Sequence, residues 1–468
     1  MKLSQTKVGS RVRTWFQNYM KRNFDSEILP WQRVLAIYIP LLVDQAFLTV
    51  MNLINSSMVS SSGAEAVSAV SMVDSLNFFL TNLFIAIATG GTVVVAQYIG
   101  KGDSDRAAKT ISQAVTSSVL IAVVITVIIC IFPHPTLTLL FGSADPLILD
   151  NAYIYLIGSA ISYPFYAIYQ ASAGALRGLG DTKASMMMSV VMYCTYLVGN
   201  IILIQVLHLG VLGVSIALVF SRILVSILAL VYLLVKRSDL GIKFKHFFTF
   251  DGKLQKSILY IGIPAGTEQL FFNGGKILVQ TFVVLLGTMS ITANAIGNNL
   301  LNMWQIPMFA AQLCTTTIIG QCVGAGRFDE ARKYLKSINR YTKWITGIMM
   351  AIFIPLTPVL LSFFHPPAEA AHKIYLLLLI PIIGLVTTWP ASFITPNALR
   401  AAGDATYTTV AALISMWSIR VVLGYVLGIV CHLDIYGVWL AMCIEWCTRA
   451  AVFTWRFKGT KWQKHKLV

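Results

Sequence analysis

The chain has 468 residues, of which 57% are hydrophobic and only 12% are charged, whereas soluble proteins average about 25% charged residues. Its formal net charge of +16 could indicate a nucleic-acid partner, but apolar runs recur along the whole length. Backbone groups in lipid must be hydrogen-bonded internally, so runs of about 20 apolar residues predict membrane-spanning helices. The composition excludes a soluble globular protein.

In chain order, residues 1–32 form a basic amphipathic segment that is predicted to lie along the inner membrane surface. Twelve spans follow, at residues 33–58, 66–98, 110–132, 148–174, 185–207, 211–235, 258–286, 291–322, 342–362, 372–397, 407–430 and 436–455. Spans 1–6 form an N-lobe (33–235) and spans 7–12 a C-lobe (258–455). A cytoplasmic linker (236–257) joins the lobes, and a basic tail (456–468) ends the chain.

Positive charge is distributed asymmetrically about these spans. If the N-terminus is inside, 30 of the 35 Lys and Arg residues lie on the inner side, counting Arg33 and Lys343 at the inner ends of their spans. The positive-inside rule therefore predicts a multi-pass protein of the cell membrane with both termini in the cytoplasm. Topology explains the basic charge, so no nucleic-acid partner is expected. The seven cysteines show no Cys/His metal-binding spacing, and no cofactor or metal centre is predicted.

An internal repeat begins in the first span of each lobe. The segment IPLLVDQAF, which starts at Ile39, returns 224 residues later as IPAGTEQLF, which starts at Ile263. Asp44 thereby falls on Glu268. Each lobe has six spans, an even number, so both lobes start on the same side of the membrane and the repeats are parallel. The predicted fold is an all-α integral membrane protein of 12 transmembrane helices in two parallel six-helix repeats.

Two loop motifs recur at the same interval. QYIGKGDSDRAAK (97–109) falls on QCVGAGRFDEARK (321–333), and ALRGLGDT (175–182) falls on ALRAAGDA (398–405). The placement of these motifs after spans 2, 4, 8 and 10 resembles the multidrug and toxic compound extrusion (MATE) family, in the superfamily that also holds polysaccharide-lipid flippases. The resemblance implies a V-shaped pair of lobes that exports organic compounds by antiport with H⁺ or Na⁺. We interpret the motif loops themselves as helix ends and topology signals.

The chain departs from the family at several acidic positions. Many relatives carry an Asp late in span 1 where this chain has Asn55. A family motif in span 5 aligns with Asn200, but its Asp position is Ile204. Some relatives place a Glu at the position of Phe272. Coupling to H⁺ or Na⁺ must therefore depend on the carboxylates that remain deep in the spans.

Deep carboxylates are costly, at about 2.5–3.5 kcal/mol each on insertion scales, and usually face a cavity or a partner. We predict three cation-coupling residues, Asp44, Glu268 and Asp74, with Na⁺ at Asp44 or Glu268 as the only metal ion considered. The alternative is that neighbouring polar groups hold Asp44 and Glu268 for packing alone. Asp74 and Lys276 lie at similar depth in different lobes, which suggests an inter-lobe contact when the outer side closes.

Other polar residues within the spans are candidates for a substrate cavity. These candidates are Asn55, Gln45, Gln269, Asn273, Lys276, Asn200, Asn299 and Trp304. Glu445 and Arg449 are spaced i,i+4 with the acid first, which favours an ion pair along one helix, and Arg420 on the neighbouring span could reach the same carboxylate. We predict that these three residues form structural ion pairs.

The sequence favours a secondary transporter of small, drug-like organic compounds that acts as a monomer in the lipid bilayer. The closest alternative is a lipid-linked saccharide or lipid flippase, and a non-transporting membrane receptor is a third. An enzyme is not expected, because the seven histidines lie at span edges, in loops or in the tail. The sequence also shows no Walker A loop, HExxH zinc motif or nucleophile elbow.

Overall fold

The computed structural model describes residues 7–25, 28–60, 64–141, 145–362, 364, 366–465 and 467–468. Its α-helices are α1 (Lys7–Phe24), α2 (Trp31–Ser60), α3 (Ala64–Lys101), α4 (Ser104–Ile131), α5 (Pro133–Phe141), α6 (Pro146–Leu179), α7 (Thr182–Asn200), α8 (Gly210–Val231), α9 (Gly252–Leu285), α10 (Thr288–Trp304), α11 (Ile306–Gly324), α12 (Phe328–Ser362), α13 (Ala368–Thr387), α14 (Trp389–Ala401), α15 (Ala405–Ser415), α16 (Val422–Tyr425) and α17 (Asp434–Lys458). Turns of π-helix follow α7, α8, α15 and α16.

Each predicted span lies on one of these helices or on consecutive ones. Within the described residues, nine helical stretches are long and apolar enough to cross a membrane. α6, α9 and α17 are also long enough, at 34, 34 and 25 residues, and α9 and α17 carry charged residues in their interiors. The twelve predicted spans therefore include helices with charged residues inside the bundle, and α9 and α17 contribute to the site described below.

Proline divides two of the predicted spans. α10 and α11 meet at Gln305, and Pro307 is the second residue of α11. α13 and α14 meet at Thr388, and Pro390 is the second residue of α14. Proline lacks a backbone N–H and clashes with the preceding turn, so it begins a helix more readily than it continues one. Predicted spans 8 and 10, both in the second half, are therefore each broken where a new helix begins with a proline at its second residue.

The two halves meet closely where α3 and α11 end. A Cβ atom on Gly100 would lie 1.9 Å from the Gln321 carbonyl oxygen, and one on Gly324 would lie 1.9 Å from the Gln97 carbonyl oxygen. Real Cβ contacts are never this short, so only glycine permits the backbones to approach in this way. The glycines of the repeated Gln-x-x-Gly motif therefore set the distance between the halves.

The glutamines of the same motif cross between the halves. Gln97 Nε2 donates to the Ala401 carbonyl oxygen at 2.7 Å, and Gln321 Nε2 donates to the Gly178 carbonyl oxygen at 3.0 Å. Each bond joins the Gln-x-x-Gly motif of one half to the Ala-Leu-Arg motif of the opposite half. We call this end of the molecule, which is predicted to be cytoplasmic, the motif end. The two halves are closed against each other there.

The N-terminal helix packs against the second half. Ser337 Oγ on α12 donates to the Asn23 carbonyl oxygen at 2.7 Å, and Lys333 Nζ donates to the Asp25 carbonyl oxygen at 2.6 Å. Both bonds lie at the end of α1 and just after it. The end of the basic N-terminal segment therefore packs against the second half of the same chain. Its position along the membrane surface stays a prediction, as do the predicted domain boundaries.

The basic tail is fixed by one tryptophan, which gives a first prediction. The Trp462 indole is fully buried, stacks on Phe457 with centroids 4.6 Å apart, and donates to the carbonyl oxygens of Phe457 and Gly459. Trp462→Ala should lower the free energy of unfolding by about 3–5 kcal/mol, the usual loss for a buried aromatic side chain. Thermal denaturation of the purified protein in detergent would show this as a lower midpoint.

The matched control is Trp455→Ala in the same region, because the Trp455 side chain is 70% exposed. Its midpoint should change little. Equal losses for the two variants would contradict the role given to Trp462.

Candidate functional site

A cavity of about 410 Å³ lies between the two halves, and we call it the central cavity. Its walls come mainly from the second half, with α3 and the end of α6 contributed by the first. Three of the predicted cavity residues, Gln269, Asn273 and Lys276, line it. Cavities of about 300–1,000 Å³ are typical of small-molecule sites, so the central cavity has a size suited to an organic ligand.

The lining of the central cavity is strongly basic. Five cationic side chains contribute to it: Arg177, Lys276, Arg400, Arg420 and Arg449. Among the lining residues that the structure describes, Glu268 is the one carboxylate. From the sequence, Lys276 is predicted to line a substrate cavity, whereas Arg177 and Arg400 are predicted to lie in cytoplasmic loops just beyond the ends of spans 4 and 10.

Glu268 lies against two of these arginines. Its Oε1 atom is 3.3 Å from Arg400 Nη2 and 3.8 Å from Arg449 Nη2. The carboxylate is 5% exposed, and within the described structure its Oε2 atom accepts no hydrogen bond. The desolvation cost of burying an ion is offset only when a partner of opposite charge lies beside it. The Ala-Leu-Arg motif therefore supplies the counter-ion of the duplicated carboxylate in the second half.

The first half repeats this arrangement only in part, because Asp44 and Arg177 influence each other electrostatically without an ion pair within 4.0 Å. Asp44 is buried, accepts a hydrogen bond from Gln45 Nε2 at 3.4 Å, and lies within the electrostatic influence of Arg177. Arg177 corresponds to Arg400 at the shift of 223 residues, just as Asp44 corresponds to Glu268 at 224. The shared interval was the signal in the sequence that could have paired these residues. Asp44 itself does not contribute to the lining of the central cavity.

A second buried carboxylate extends the charges of the second half. Glu445 Oε1 lies 3.2 Å from Arg449 Nη1, and Glu445 Oε2 lies 3.5 Å from Arg420 Nη1. Because Arg449 contacts both acids, the groups alternate in sign along a single chain, which we call the charge chain. It runs Arg400, Glu268, Arg449, Glu445, Arg420. The three residues predicted as structural ion pairs thus lie in one network with Glu268.

An aromatic ring lies among the cations of this region. Lys276 Nζ is 5.1 Å from the centroid of the Phe272 ring, and the guanidinium carbons of Arg420 and Arg449 are 5.8 and 5.6 Å from it. A cation within about 6 Å of an aromatic ring is attracted to its negative face. Phe272, where some relatives carry a glutamate, therefore contributes to holding the cations without adding a negative charge.

Asp74 lies in a different cavity, of about 530 Å³, within the first half. Its Oδ1 atom accepts hydrogen bonds from Tyr155 at 2.9 Å and from Asn77 at 3.1 Å. Arg222 lines the same cavity, where it donates to Ser162 Oγ at 2.7 Å. Lys276 lines the central cavity instead, so the structure does not bring Asp74 and Lys276 together.

The remaining predicted cavity residues lie elsewhere. Trp304 is buried in the core of the second half, and Asn200 is buried at the end of α7. None of Trp304, Asn200 and Gln45 contributes to the lining of the central cavity. The side chain of Asn55 lies outside the described part of the structure.

Asn299 does not contribute to the lining of the central cavity, whereas the adjacent Asn298 does. Adjacent helical positions point about 100° apart, so a prediction one residue out of register selects the wrong face of α10. Among the described residues, no group of three or more His, Cys, Asp or Glu side chains could hold a metal ion.

Comparison with known proteins fixes the family. The sequence profile of the MatE family matches residues 40–204 and 264–426, one match in each repeat. The chain belongs to the MatE family. Members of this family are membrane transporters rather than enzymes, so the predicted family resemblance is confirmed, and the protein is a multi-pass membrane protein.

Individual relatives and structures agree with this assignment. The "Uncharacterized transporter YisQ" of Bacillus subtilis is 25% identical over 90% of this chain and 93% of its own length. The "Probable multidrug resistance protein NorM" of Thermotoga maritima is 23% identical over 97% of both chains. The solved structure described as "Crystal structure of MATE in complex with MaL6" superposes with a TM-score of 0.84 at 21% identity, over 91% of this chain and 96% of that one. The predicted all-α membrane fold is confirmed.

The charge chain gives a second prediction. Glu445→Gln keeps the shape of the side chain but removes the negative charge shared by Arg420 and Arg449. Breaking a buried ion pair costs about 3–5 kcal/mol because a buried charge is left uncompensated. We expect a clearly lower midpoint of thermal denaturation in detergent.

Cys447→Ala on the exposed face of α17 is the control and should leave the midpoint unchanged. A Glu445→Gln protein as stable as this control would show that the charge chain does not stabilise the fold.

Proposed function

We propose that this MatE protein exports small organic compounds across the cell membrane by alternating access, driven by the entry of H⁺ or Na⁺. In this proposal the lobes are residues 33–235 and 258–455, both termini face the cytoplasm, and the protein works as a monomer in the bilayer. The observation that carries the proposal is a cavity of drug-like size between two repeats that close on each other at the motif end.

The relatives support export of this kind. The Bacillus subtilis "Probable multidrug resistance protein YoeA" is 27% identical over 88% of this chain, and the Thermotoga maritima relative carries a similar name. A transporter that alternates must separate its halves at the motif end to admit a substrate from the cytoplasm. The contacts there are compatible with such motion, because they include side-chain hydrogen bonds from Gln97, Gln321 and Thr317 and a close approach of glycine backbones.

A third prediction tests this motion. Gly324→Ala would place a methyl group 1.9 Å from the Gln97 carbonyl oxygen, so α3 and α11 must move apart. Spin labels at Asp105→Cys and Asp329→Cys, two exposed equivalent positions in a cysteine-free background, would report a longer distance by pulsed electron paramagnetic resonance. Gly347→Ala is the control, since an added Cβ there meets no atom within 4 Å. An unchanged distance distribution in Gly324→Ala would contradict the proposed closure.

The ion-binding residue is assigned to Asp44. Its Oδ1 atom is buried and accepts no hydrogen bond within the described structure, so an oxygen remains for a proton or a Na⁺ ion. Glu268 is the weaker candidate for a cation, because Arg400 and Arg449 both approach its Oε1 atom. Asp74 accepts hydrogen bonds from two neutral donors in the cavity of the first half. It is proposed as a second binding position for the same ion. Ion and substrate would then occupy different halves and be coupled through the conformational change.

A fourth prediction compares the two equivalent carboxylates in proteoliposomes. Asp44→Asn should make efflux of a preloaded probe independent of imposed pH and Na⁺ gradients, because it removes the ion-binding charge. Glu268→Gln should retain more gradient dependence while weakening binding of a cationic probe and strengthening that of an anionic one, because it releases two arginines of the cavity wall. Efflux would be followed with ethidium as a cationic probe and 2-naphthoate as an anionic one.

Asp105→Asn, an exposed change in a motif loop, serves as the control. Full gradient dependence in Asp44→Asn would remove Asp44 from the coupling route.

A lipid-linked saccharide flippase is the second candidate, favoured by the basic lining of the central cavity. A volume of about 410 Å³ suits a drug-sized molecule better than a saccharide headgroup with its lipid anchor. Movement of a fluorescent lipid-linked saccharide between leaflets of proteoliposomes, with no efflux of either soluble probe, would favour the flippase.

A further inference from the structure

We propose that the central cavity binds organic anions, molecules with an apolar or aromatic body and one or two negative charges. The inference rests on the proposed transport function for its biological use, since it names the substrate class of the same site. Its test measures binding and does not require transport.

The cavity wall has more cations than the nearby acids can balance. The charge chain has three arginines and two glutamates, and thus one surplus positive charge. Asp44 offsets the charge of Arg177 at longer range, without a direct ion pair. Lys276 adds a second surplus positive charge. A ligand with one or two negative charges would therefore neutralise the wall, whereas a cationic ligand would add to an existing excess.

Lys276 is the group best placed to meet such a ligand. Its side chain is exposed to the central cavity, and no described carboxylate lies within 4.0 Å of its Nζ atom. Its neighbours are the Phe272 ring, the positive charge of Arg420 and, at longer range, the negative charge of Glu445, which Arg420 and Arg449 already pair. A cation deep in a membrane protein ordinarily has a partner or faces a wet cavity. Lys276 faces the cavity, and the negative charge that it lacks would come from the ligand.

The neutral part of the wall is suited to the same chemistry. Amide side chains that can donate to carboxylate, sulfonate or phosphate oxygens line it at Gln269, Asn273, Asn298 and Asn302. Trp389 and Phe393 also line it and stack on each other with centroids 4.6 Å apart. This aromatic surface can hold an apolar body. The cationic and amide groups would then orient the charged end.

The fifth prediction uses three probes with the same ring system: 2-naphthoate (anionic), 2-naphthamide (neutral) and 2-naphthylmethylammonium (cationic). Binding to the full chain in phosphatidylcholine nanodiscs would be measured by isothermal titration calorimetry, with empty nanodiscs subtracted. We expect the anion to bind about tenfold more tightly than the cation, the scale of one favourable charge contact. Added salt should weaken binding of the anion and leave that of the amide unchanged.

Variants locate the effect at Lys276. Lys276→Met should weaken the binding of 2-naphthoate about tenfold and leave the binding of 2-naphthamide unchanged. Unchanged binding of the amide would also show that the cavity is still formed. Lys276→Glu should reverse the preference between anion and cation. Lys253→Met, which removes an exposed cation from the start of the same helix, should have no effect. Tighter binding of the cation by the unaltered protein, or an unchanged ratio in Lys276→Met, would overturn the proposal.

Two further measurements separate the sources of the anion and the two proposals. Nanodiscs containing phosphatidylglycerol would compete with 2-naphthoate if the natural anion is a lipid headgroup, and would not compete if it is a soluble molecule. Either result supports an anion site. Anion binding without gradient-driven efflux would reject the transport proposal alone, whereas efflux of ethidium with no binding of 2-naphthoate would reject the anion site alone.

Discussion

The compensation of buried charge is the constraint on which this structure depends. Ionised side chains inside an apolar bundle are stable only beside partners of opposite sign. The charge chain meets this requirement by joining α9, α14, α17 and the π-helical turn that holds Arg420. These elements therefore have fixed positions relative to one another. They leave a cavity whose wall includes four members of the charge chain, Arg400, Glu268, Arg449 and Arg420.

The repeat preserves some of these contacts and not others. In both halves the carboxylate of the first span is under the electrostatic influence of the arginine of the Ala-Leu-Arg motif, but only Glu268 and Arg400 form a direct ion pair. Both halves send a glutamine across the motif end. The extra charges have diverged: Lys276, Arg420, Glu445 and Arg449 belong to the second half, while the first half has a tyrosine-rich cavity with Asp74 and Arg222. Duplication therefore supplied the frame, and later change gave the two cavities different chemistry.

The motif end links this frame to motion. Glycine backbones at the crossing of α3 and α11 allow a close approach that any larger residue would prevent. The arginine of each Ala-Leu-Arg motif lies in the cavity wall, and the glycine or alanine that follows it accepts the crossed glutamine bond. A change in the cavity can thus reach the contact between the halves through a single turn of helix.

The sequence by itself determined the membrane class, the helices, the twofold repeat, the family and the residues whose burial is costly, because these follow from local composition and from a fixed interval. Beyond the predicted group of Arg420, Glu445 and Arg449, only the tertiary structure decided which charges meet. Predicted spans 4 and 10 end at residues 174 and 397, but α6 continues to Leu179 and α14 to Ala401. Arg177 and Arg400 therefore lie inside helices beside the cavity, and not in loops. Periodicity shows which residues share a helix face, but the neighbour of that face is set by packing between segments more than 100 residues apart, as for Glu268 and Arg400.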